Sequence, residues 1–521
     1  MAASKPFYIT TAISYPNGMP HIGHAYEAVG TDVIARFKRH DGFDVKFLTG
    51  IDDHGQKMVL TARKQDTTAA ELADKMAPHF IEMTKRLNLS NTDFIRTIEP
   101  RHEKSAQALW ERIAAKGDIY LGAYKGWYSV RDEAFYTEDE LTEGEGGEKL
   151  APTGTPVEWM EEETYFFKLS AYADKLLALY EAQPNFIMPT SRRNEVRAFV
   201  KRGLKDLSIS RAKTKLDWGI DVPGDDSHVM YVWMDALTNY ITGLGFPDVD
   251  GDDFKNFWPA DVHVIGKDIV RFHAMIWPAL LMAAELPLPK RIFGHGFLNN
   301  KGEKMSKSVG NVIDPFTLTD AYGVDQMRYF FCREISWGSD GSYSHESLVN
   351  RINADLANDL GNLASRSLSM IAKNCNGALP TPGELSSEDQ AILKLAQDAL
   401  GLARGHMDNL AVHLAVGAVW DVVGEANKYF AGQEPWALRK TDPARMETVL
   451  YVTAEVLRYI AILAQPVVPE GAGKLLDALG QAEDVRSFAH LDDAHKLAPG
   501  IAIPKPDPIF PRYLEPEGED A

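Results

Sequence analysis

Two histidines three positions apart stand in His21-Ile22-Gly23-His24, after the turn-rich segment 14–20. A helix N-terminus offers unpaired N–H groups and a positive dipole to phosphates. Two imidazoles on one helix face there could donate hydrogen bonds to a triphosphate while charge develops at the α-phosphate. Gly23 would let adenine or ribose approach the backbone closely. The same histidines could also be structural or could bind a metal, so the motif alone leaves three interpretations open.

A second candidate group is Lys304-Met305-Ser306-Lys307-Ser308, which lies in a loop with Gly302 and Gly310 on either side. Two lysines on a flexible loop can close over a polyphosphate and neutralise the charge of leaving pyrophosphate. In isolation, a loop of lysine and serine is more often simply solvated. Its chemistry therefore depends on what the rest of the fold brings near it.

The elements before the first motif and after it predict a strand–helix–strand unit. The apolar run 7–13 indicates a strand, and the run 45–49 indicates the next one. Between them, apolar residues recur with helical spacing up to about Arg39, at Ala25, Val29, Val33, Ile34 and Phe37. Strands that alternate with helices imply a parallel, doubly wound sheet, which binds ligands at the carboxyl ends of its strands.

The same patterns divide the chain into five predicted regions. An α/β fold with a Rossmann-type, doubly wound parallel sheet is interrupted by a connecting insertion and is followed by an all-α bundle. Strand-like runs at 229–232, 262–265 and 291–294 resume the alternation after an insertion rich in aromatic residues and glycine. The predicted boundaries are 1–117 for the first half of the Rossmann domain, 118–225 for the insertion, 226–298 for the second half, 299–345 for the lysine-bearing loop and the segment after it, and 346–521 for the helical domain with a short acidic tail.

Composition limits the class of protein. The chain has 521 residues with 45% hydrophobic and 25% charged residues, as in soluble globular proteins of several domains. Only two cysteines occur, Cys332 and Cys375, so we expect a reducing compartment and no disulfide framework. The run at 7–13 leaves no room for a leader peptide, and we expect a cytoplasmic protein.

The net charge of −19 argues against a nucleic-acid partner, but only the local potential matters. Much of the acidity lies in 138–148 and in the C-terminal tail. The stretch 192–215 is basic, and it fits either a solvated helix face or a patch that faces RNA or phosphate.

The first motif after an early strand and the second motif after a late strand resemble the signatures of class I aminoacyl-tRNA synthetases. Within that class the chain is most similar to the methionyl-tRNA synthetases over nearly its whole length. Four further stretches carry this resemblance: 12–18, 49–55, 231–236 and 266–273. The resemblance implies a stem-contact region after the lysine-bearing loop and an anticodon-binding role for the helical domain. It also implies that ATP, methionine and tRNA(Met) are the substrates.

The resemblance implies site residues position by position. The catalytic residues are His21, His24, Lys304 and Lys307. Methionine is bound by Ala12, Ile13, Tyr15, Asp52, Trp233, Ala236, Leu237, Tyr240, Ile269, His273 and Trp277, with Asp52 on the ammonium group. ATP is bound by His21, Gly23, His24, Glu27, Gly266, Asp268, His295, Lys304, Ser306 and Lys307, and the anticodon by Asn362, Arg366 and Trp436. An aromatic pocket suits a polarizable thioether. Any one of these aromatic residues could instead be ordinary core, and Asp52 could be a turn residue.

The chain departs from the family in its insertion. Many methionyl-tRNA synthetases carry zinc knuckles there, whereas this chain has Ser129 and Asp132 where thiolates would stand. A structural zinc site needs four N or S donors, so we expect a zinc-free insertion stabilised by packing. ATP chemistry implies Mg²⁺. No segment resembles the module that dimerises some relatives, and we expect a monomer.

Three other functions stay open from the sequence. The chain could be a class I synthetase for leucine, isoleucine, valine or cysteine. It could be a catalytically silent, tRNA-binding paralogue, although both motifs and Asp52 are intact. It could also be a nucleotidyltransferase, for which a long helical domain would have no use.

Overall fold

The computed structural model describes residues 4–132, 134–144, 146–303, 305 and 311–515. The first part of the chain alternates strands with helices, as the sequence predicts. Its elements are β1 (Pro6–Thr10), α1 (Ile22–His40), β2 (Asp44–Ile51), α2 (Gln56–Lys64), α3 (Ala69–Arg86), β3 (Asp93–Arg96) and α4 (Pro100–Ala115). Helix α1 starts three residues before the first apolar position of the predicted stripe, because His21 caps it.

The middle of the chain is mostly antiparallel. Its elements are β4 (Ile119–Ser129), β5 (Ala134–Tyr136), β6 (Thr142–Glu143), β7 (Lys149–Leu150), β8 (Glu158–Phe167), α5 (Ala173–Ala182), β9 (Ile187–Met188), α6 (Thr190–Lys201), β10 (Leu207–Ser208), β11 (Ser210–Ala212), β12 (Asp221–Val222) and β13 (Asp225–Met230). Strands β10, β8, β4 and β5 form one sheet in that order, and β11, β13 and β12 form another.

The alternation then returns and leads into the segment after the lysine-bearing loop. The elements are α7 (Val232–Thr242), α8 (Asp252–Phe257), β14 (Val262–Gly266), a π-helical turn (Phe272–Ile276), α9 (Trp277–Ala283), β15 (Ile292–His295), β16 (Leu298–Asn300), α10 (Pro315–Tyr322), α11 (Val324–Arg333), β17 (Gly341–Tyr343) and α12 (His345–Arg351).

The last part of the chain is helical, as predicted. After a π-helical segment (Ile352–Gly361) come α13 (Asn362–Asn374), α14 (Ser387–Asp408), α15 (Val412–Gln433), α16 (Pro435–Thr441), α17 (Pro443–Ala464) and α18 (Pro469–Ala478). Pro435 and Pro443 each occupy the first turn of a helix, where a missing N–H costs nothing. None of the helices in the described part of the chain combines the length and the apolar character that crossing a bilayer requires.

The central sheet has six strands in the order β3-β2-β1-β14-β15-β9, and every neighbouring pair is parallel. This confirms the predicted doubly wound α/β class. Phe7 and Ile9 of β1 face α1 and the core shared with the helical domain. Tyr8 and Leu48 face the opposite layer, with α4, α7 and α9. Successive side chains of a strand point to opposite faces, so β1 is buried on both.

Two strands differ from the predicted alternation. Strand β13 overlaps the predicted run 229–232 only at residues 229 and 230, and it pairs antiparallel with β11 and β12, so it does not extend the parallel sheet. Its apolar end is short and leads at once into α7, which leaves no crossover to a parallel neighbour. Strand β9 lies inside the range predicted as the insertion and pairs parallel with β15.

Arg328 of α11 joins the α/β part to the helical domain. Its buried guanidinium donates from Nη2 to Asp32 Oδ2 at 2.7 Å and to the Pro466 carbonyl at 2.8 Å. Nε donates to the Val467 carbonyl at 3.0 Å. Since Asp32 belongs to α1 and Pro466 and Val467 follow α17, Arg328 ties the helix that follows His21 to the segment after α17. Removing Asp32 would leave the Arg328 charge buried without its carboxylate partner, whereas Asp32 also pairs with Arg36.

Candidate active site

The N-terminus of α1 holds His21 and His24 in one fixed arrangement. Nδ1 of His21 accepts from the Gly23 N–H at 3.1 Å, and Nδ1 of His24 accepts from the His21 N–H at 3.1 Å. The two rings stack with centroids 3.8 Å apart. Because each Nδ1 accepts a hydrogen bond from the backbone, each neutral ring carries its proton on Nε2. Each histidine therefore has its N–H donor at Nε2, on the side of the ring that points away from the helix cap.

Gly23 has a packing role that the sequence did not reveal. A Cβ added at this position would lie 2.9 Å from Cε1 of His21, which is closer than real Cβ contacts come. Any larger residue would displace the His21 ring from its capping position. The structure thus supplies a reason for glycine that is independent of a bound nucleotide.

A cavity of about 490 Å³ opens at this helix end and at the carboxyl ends of β1, β14 and β15. Many residues predicted for the site line it together: Ala12, Ile13, Tyr15, His21, Gly23, His24, Glu27, Gly266, Asp268, Ile269 and His295. Further lining residues were not predicted: Ser14, Asn17, Gly18, Met19, Tyr26, Lys57, Arg131, Gly296, Phe297, Leu298, Met305 and Val312. Several of the latter directly follow a parallel strand, a position that the fold class alone could have indicated.

Glu27 and His295 form an ion pair in the cavity wall. Nε2 of His295 lies 2.7 Å from Glu27 Oε2, and Nδ1 donates to the Gly296 carbonyl at 2.8 Å. Burial favours the neutral ring, but the hydrogen bond and charge of Glu27 outweigh it and raise the pKa of His295 above its usual value. The pair links α1 to the end of β15, so the histidine-bearing helix and the opposite wall hold a fixed spacing.

The predicted methionine residues divide into two groups. Ala12, Ile13, Tyr15 and Ile269 line the cavity, whereas Leu237, Tyr240 and Trp277 belong to a buried apolar cluster and Trp233 packs against that cluster. Trp233 is half-buried and stacks on Phe272 with ring centroids 3.8 Å apart and an interplanar angle of 7°. Phe272 was not among the residues predicted from the sequence. Ala236 and Leu237 are buried on α7, and Trp277 is fully buried.

Tyr240 and His273 share a buried hydrogen bond of 2.6 Å between the hydroxyl group and Nε2. Nδ1 of His273 donates to the Ile269 carbonyl at 3.0 Å. Nε2 must therefore accept from Tyr240, and the ring is neutral. Burial lowers the pKa of His273 to about 4. An uncharged polar group inside an apolar wall is the kind of feature that orients a largely apolar ligand.

Asp52 follows β2 and is buried. Its N–H donates to the Ser14 carbonyl at 2.9 Å, which places it against the loop that carries Ala12 and Tyr15. Its carboxylate accepts from the His54 N–H at 3.3 Å. A buried carboxylate beside a cavity-lining loop is a suitable partner for an ammonium group.

The lysine-bearing loop is described only in part. Lys304, Ser306 and Lys307 lie outside the described residues, so nothing is said of their geometry. Met305 lines the cavity.

The three predicted anticodon residues lie on neighbouring helices of the last domain. Asn362 and Arg366 are exposed and lie four positions apart on α13. The Arg366 guanidinium lies 5.2 Å from the centroid of the Trp436 ring, which is 42% exposed on α16. Phe430 packs edge-to-face on Trp436 with centroids 6.1 Å apart. The arrangement presents an aromatic face and polar groups to solvent, as single-stranded bases require.

The insertion contains a hydrogen-bonded cluster around Ser129 and Asp132, the two residues that stand where the resemblance led us to look for thiolates. Ser129 Oγ lies 2.7 Å from Thr155 Oγ1, and Asp132 Oδ2 accepts from Thr155 at 2.7 Å and from the Tyr136 hydroxyl at 3.1 Å. Thr153 also donates to Asp132. Within the described part of the chain, no group of three or more His, Cys, Asp or Glu side chains is arranged to hold a metal ion.

The basic stretch 192–215 does not form a single surface. Arg211 is buried, with its guanidinium 4.7–5.1 Å from the rings of Tyr128, Phe135 and Tyr231. Arg192 and Arg197 form ion pairs with glutamates, at 2.7 Å and 2.6 Å respectively. Arg193 and Lys213 are half-buried, whereas Lys201, Arg202, Lys205 and Lys215 are exposed. The two interpretations from the sequence, a solvated helix face and a patch that faces RNA or phosphate, therefore apply only to its exposed residues.

Two family models match the chain. One, described as "tRNA synthetases class I (M)", matches residues 7–368. The other, described as "Anticodon binding domain of methionyl tRNA ligase", matches residues 379–520. The second match covers the predicted helical domain from α14 onward.

Curated relatives and solved structures match along nearly the whole chain. The methionine–tRNA ligase of Brucella suis biovar 1 (strain 1330) is 63% identical over 516 residues, which are 99% of each chain. The enzyme of the same name from Mycobacterium bovis is 57% identical over 98% of this chain and 99% of its own. Mycobacterium tuberculosis methionyl-tRNA synthetase in complex with methionyl-adenylate has a TM-score of 0.95 and 57% identity, with 98% of this chain and 100% of that chain covered. The apo form of that protein has a TM-score of 0.89 and 54% identity over 98% and 99% of the two chains.

Proposed function

Because the chain belongs to the methionyl-tRNA synthetase family, we propose that it activates methionine with ATP and transfers the methionyl group to tRNA(Met). One observation carries this proposal: the cavity joins the His21–His24 helix end to the carboxyl ends of three parallel strands. The relatives named as methionine–tRNA ligases favour methionine over the other class I amino acids. The intact cavity speaks against a silent paralogue.

In the first step the methionine carboxylate attacks the α-phosphate of ATP, and pyrophosphate leaves with the bonding electron pair. No side chain needs to transfer a proton in this step. His21 and His24 donate from Nε2 to the phosphate oxygens as charge develops there. Lys304 and Lys307 neutralise the charge of the leaving pyrophosphate. Ser306, in the same loop, contributes to ATP binding.

The adenosine half of ATP is bound at the ends of β14 and β15. The Asp268 carboxylate accepts from the ribose hydroxyls, and Gly266 lets the nucleotide lie close to the strand end. Glu27 and His295 hold the two walls at a fixed spacing. Gly23 keeps the His21 ring in place. Catalysis is then mainly positioning and charge stabilisation.

Methionine is bound by a carboxylate and an aromatic wall. Asp52 pairs with the ammonium group beside Ala12, Ile13 and Tyr15. The thioether lies among Trp233, Ala236, Leu237, Tyr240, Ile269, His273 and Trp277. Sulfur gains about 0.3–1.5 kcal/mol against aromatic rings, and the neutral His273 adds no charge that would repel an apolar chain.

In the second step a hydroxyl group of the terminal adenosine attacks the activated carbonyl, and AMP leaves. We propose that Asn362, Arg366 and Trp436 read the anticodon, with Trp436 as a stacking face. Arginine and asparagine can each make paired hydrogen bonds to base edges. The segment 299–345 contacts the stem, between the site and the helical domain of 346–521.

Magnesium enters as the complex with ATP, because Mg²⁺ is usually held by one or two carboxylates together with substrate phosphates. The insertion of 118–225 needs no zinc, since hydrogen bonds to Asp132 take the place of thiolates. We also propose a cytoplasmic monomer.

The test is aminoacylation of tRNA(Met) with labelled methionine by the full chain. We expect charging that requires ATP and stops when the anticodon triplet is replaced. A tRNA that is charged equally well with a foreign anticodon would contradict the role given to the helical domain. Charging with leucine or cysteine in place of methionine would contradict the substrate.

A further inference from the structure

Arg131 belongs to the insertion, yet it lines the active-site cavity. It lies in the turn that follows β4, far in sequence from the motifs that build the rest of the wall. The side chain is exposed, and within the described part of the chain its guanidinium has no hydrogen-bond or ion-pair partner. An exposed arginine that lines a cavity and is paired with no described residue is available to a ligand.

The backbone beside Arg131 is firmly held. The Asp132 N–H donates to Ser129 Oγ at 3.2 Å, and the Asp132 carboxylate accepts from Thr155 at 2.7 Å and Tyr136 at 3.1 Å. Ser129 and Thr155 are buried. The cluster thus fixes the residues on either side of Val130 and Arg131, and the long side chain projects from an ordered turn. Such support lets a side chain hold a productive position.

The charges around the cavity explain what Arg131 would bind. Among the described lining residues, only Lys57 and Arg131 carry a permanent positive charge. The Lys57 ammonium lies 4.6 Å from the centroid of the Tyr15 ring, on the side predicted for methionine. Glu27 is paired with His295. A polyphosphate in this cavity needs cationic partners, and a planar guanidinium matches phosphate oxygens with two parallel donors.

We propose that Arg131 binds the β- and γ-phosphates of ATP during methionine activation, an inference that rests on the function proposed above. When the carboxylate oxygen bonds to the α-phosphorus, the bond from that phosphorus to the bridging oxygen breaks. The electron pair goes to pyrophosphate. Arg131 holds this anion from the insertion side of the cavity. No proton is transferred to or from Arg131, which stays charged throughout.

The test uses the full chain and ATP–pyrophosphate exchange with methionine and no tRNA. Arg131→Ala should lower kcat/KM for ATP about tenfold or more, the usual effect of losing a charge-assisted hydrogen bond. The KM for pyrophosphate should rise as well, while the KM for methionine stays within about twofold. Arg131→Lys keeps the positive charge but not the two parallel donors of the guanidinium, and it should therefore recover part of the lost kcat/KM for ATP.

The matched control is Arg202→Ala, because Arg202 is an exposed arginine of the same insertion that does not line the cavity. It should leave all three parameters unchanged. The Tm of Arg131→Ala should equal that of the wild type, since the side chain is exposed. Equal kcat/KM for ATP in Arg131→Ala and wild type would overturn the proposal.

A second assay distinguishes the two phosphate ligands that Arg131 could bind, the triphosphate of ATP and the phosphate backbone of tRNA. Transfer from preformed methionyl-adenylate to tRNA involves no polyphosphate, so Arg131→Ala should transfer at the wild-type rate. Slow transfer with unimpaired exchange would assign Arg131 to the tRNA backbone and overturn the ATP assignment. If the wild type itself catalysed no methionine-dependent exchange, the proposed function would fail first, an outcome distinct from a failure of Arg131 alone.

Discussion

The Asp235 carboxylate lies 2.7 Å from Nδ1 of His54, and this buried contact joins helix α7 to the loop that carries Asp52. The other carboxylate oxygen of Asp235 lies 2.7 Å from Nε2 of His102 on α4. Three elements therefore meet at one carboxylate. Trp233 and Ala236 lie close to Asp235 on α7. The same contact therefore positions the aromatic wall relative to Asp52, the residue proposed to bind the methionine ammonium group.

Asp235→Asn should weaken methionine binding more than ATP binding. An amide cannot accept strongly from two histidines at once, so the loop of Asp52 loses its fixed position. We expect the KM for methionine in ATP–pyrophosphate exchange to rise about tenfold, the scale of one lost charged hydrogen bond. Asp74→Asn, which breaks an exposed ion pair with Arg96, is the control. A wild-type KM for methionine in a folded Asp235→Asn protein would show that the contact does not position the site.

The same contact predicts how stability depends on pH. Burial alone would lower the pKa of His54, but the charge and hydrogen bond of Asp235 outweigh it and raise that pKa. A raised folded pKa gives stability that is fully present below the unfolded value of about 6.5 and is lost as pH rises through the folded pKa. The free energy of unfolding should therefore exceed that of Asp235→Asn by more at pH 6 than at pH 9. Denaturant titrations at both pH values measure this difference, and an equal gap would exclude the linkage.

At acidic pH, the stability that Asp235 contributes changes with pH in the opposite direction. Burial would raise the pKa of Asp235, yet His54 and His102 lower it to about 2. A lowered carboxyl pKa gives stability that is present above the unfolded value of about 3.9 and is lost as pH falls through the folded value. The advantage of the wild type over Asp235→Asn should shrink as pH falls from about 4 toward about 2.

The hydrogen-bonded cluster in the insertion makes a prediction about metal. Asp132→Ala removes the acceptor for Tyr136, Thr153 and Thr155, and should cost about 2 kcal/mol of stability, as for hydrogen bonds to a charged group. Treatment with a chelator should leave the Tm of the wild type unchanged. Thr142→Ala, an exposed threonine of the same insertion, should cost much less. Stoichiometric zinc in well-washed protein, with a lower Tm after chelation, would refute the zinc-free insertion.

Trp436 tests the role of the helical domain. Trp436→Ala should raise the KM for tRNA about tenfold, because stacking of one base contributes roughly 1–3 kcal/mol. Exchange without tRNA should not change. Leu402→Ala serves as the control, since Leu402 is an apolar side chain of α14 that is 56% exposed. Equal tRNA parameters for the two variants would remove Trp436 from the anticodon site.

Much of the fold follows from local patterns. The strands at 6–10, 44–51 and 262–266 and the helix that begins after His21 have periodicities that indicate their type directly. The two-residue strand β9 has no such pattern, and β13 is polar over its first four residues. Which sheet a strand joins depends on partners that lie far away in the sequence.

The site was predictable where a motif lies on a strand end and not where the fold brings distant segments together. His21 and His24 stand at a helix start that the sequence indicates. The pairing of Glu27 with His295 joins residues 268 positions apart, and no local pattern reveals it. The Trp233–Phe272 stack and Arg131 at the cavity mouth are of the same kind, since each depends on tertiary packing.

The most direct test is ATP–pyrophosphate exchange with each standard amino acid supplied separately and without tRNA. The proposed function predicts exchange with methionine and none of comparable rate with leucine, isoleucine, valine or cysteine. Exchange with one of those amino acids in place of methionine would contradict the binding pocket while keeping the class. The absence of exchange with every amino acid would contradict the account as a whole.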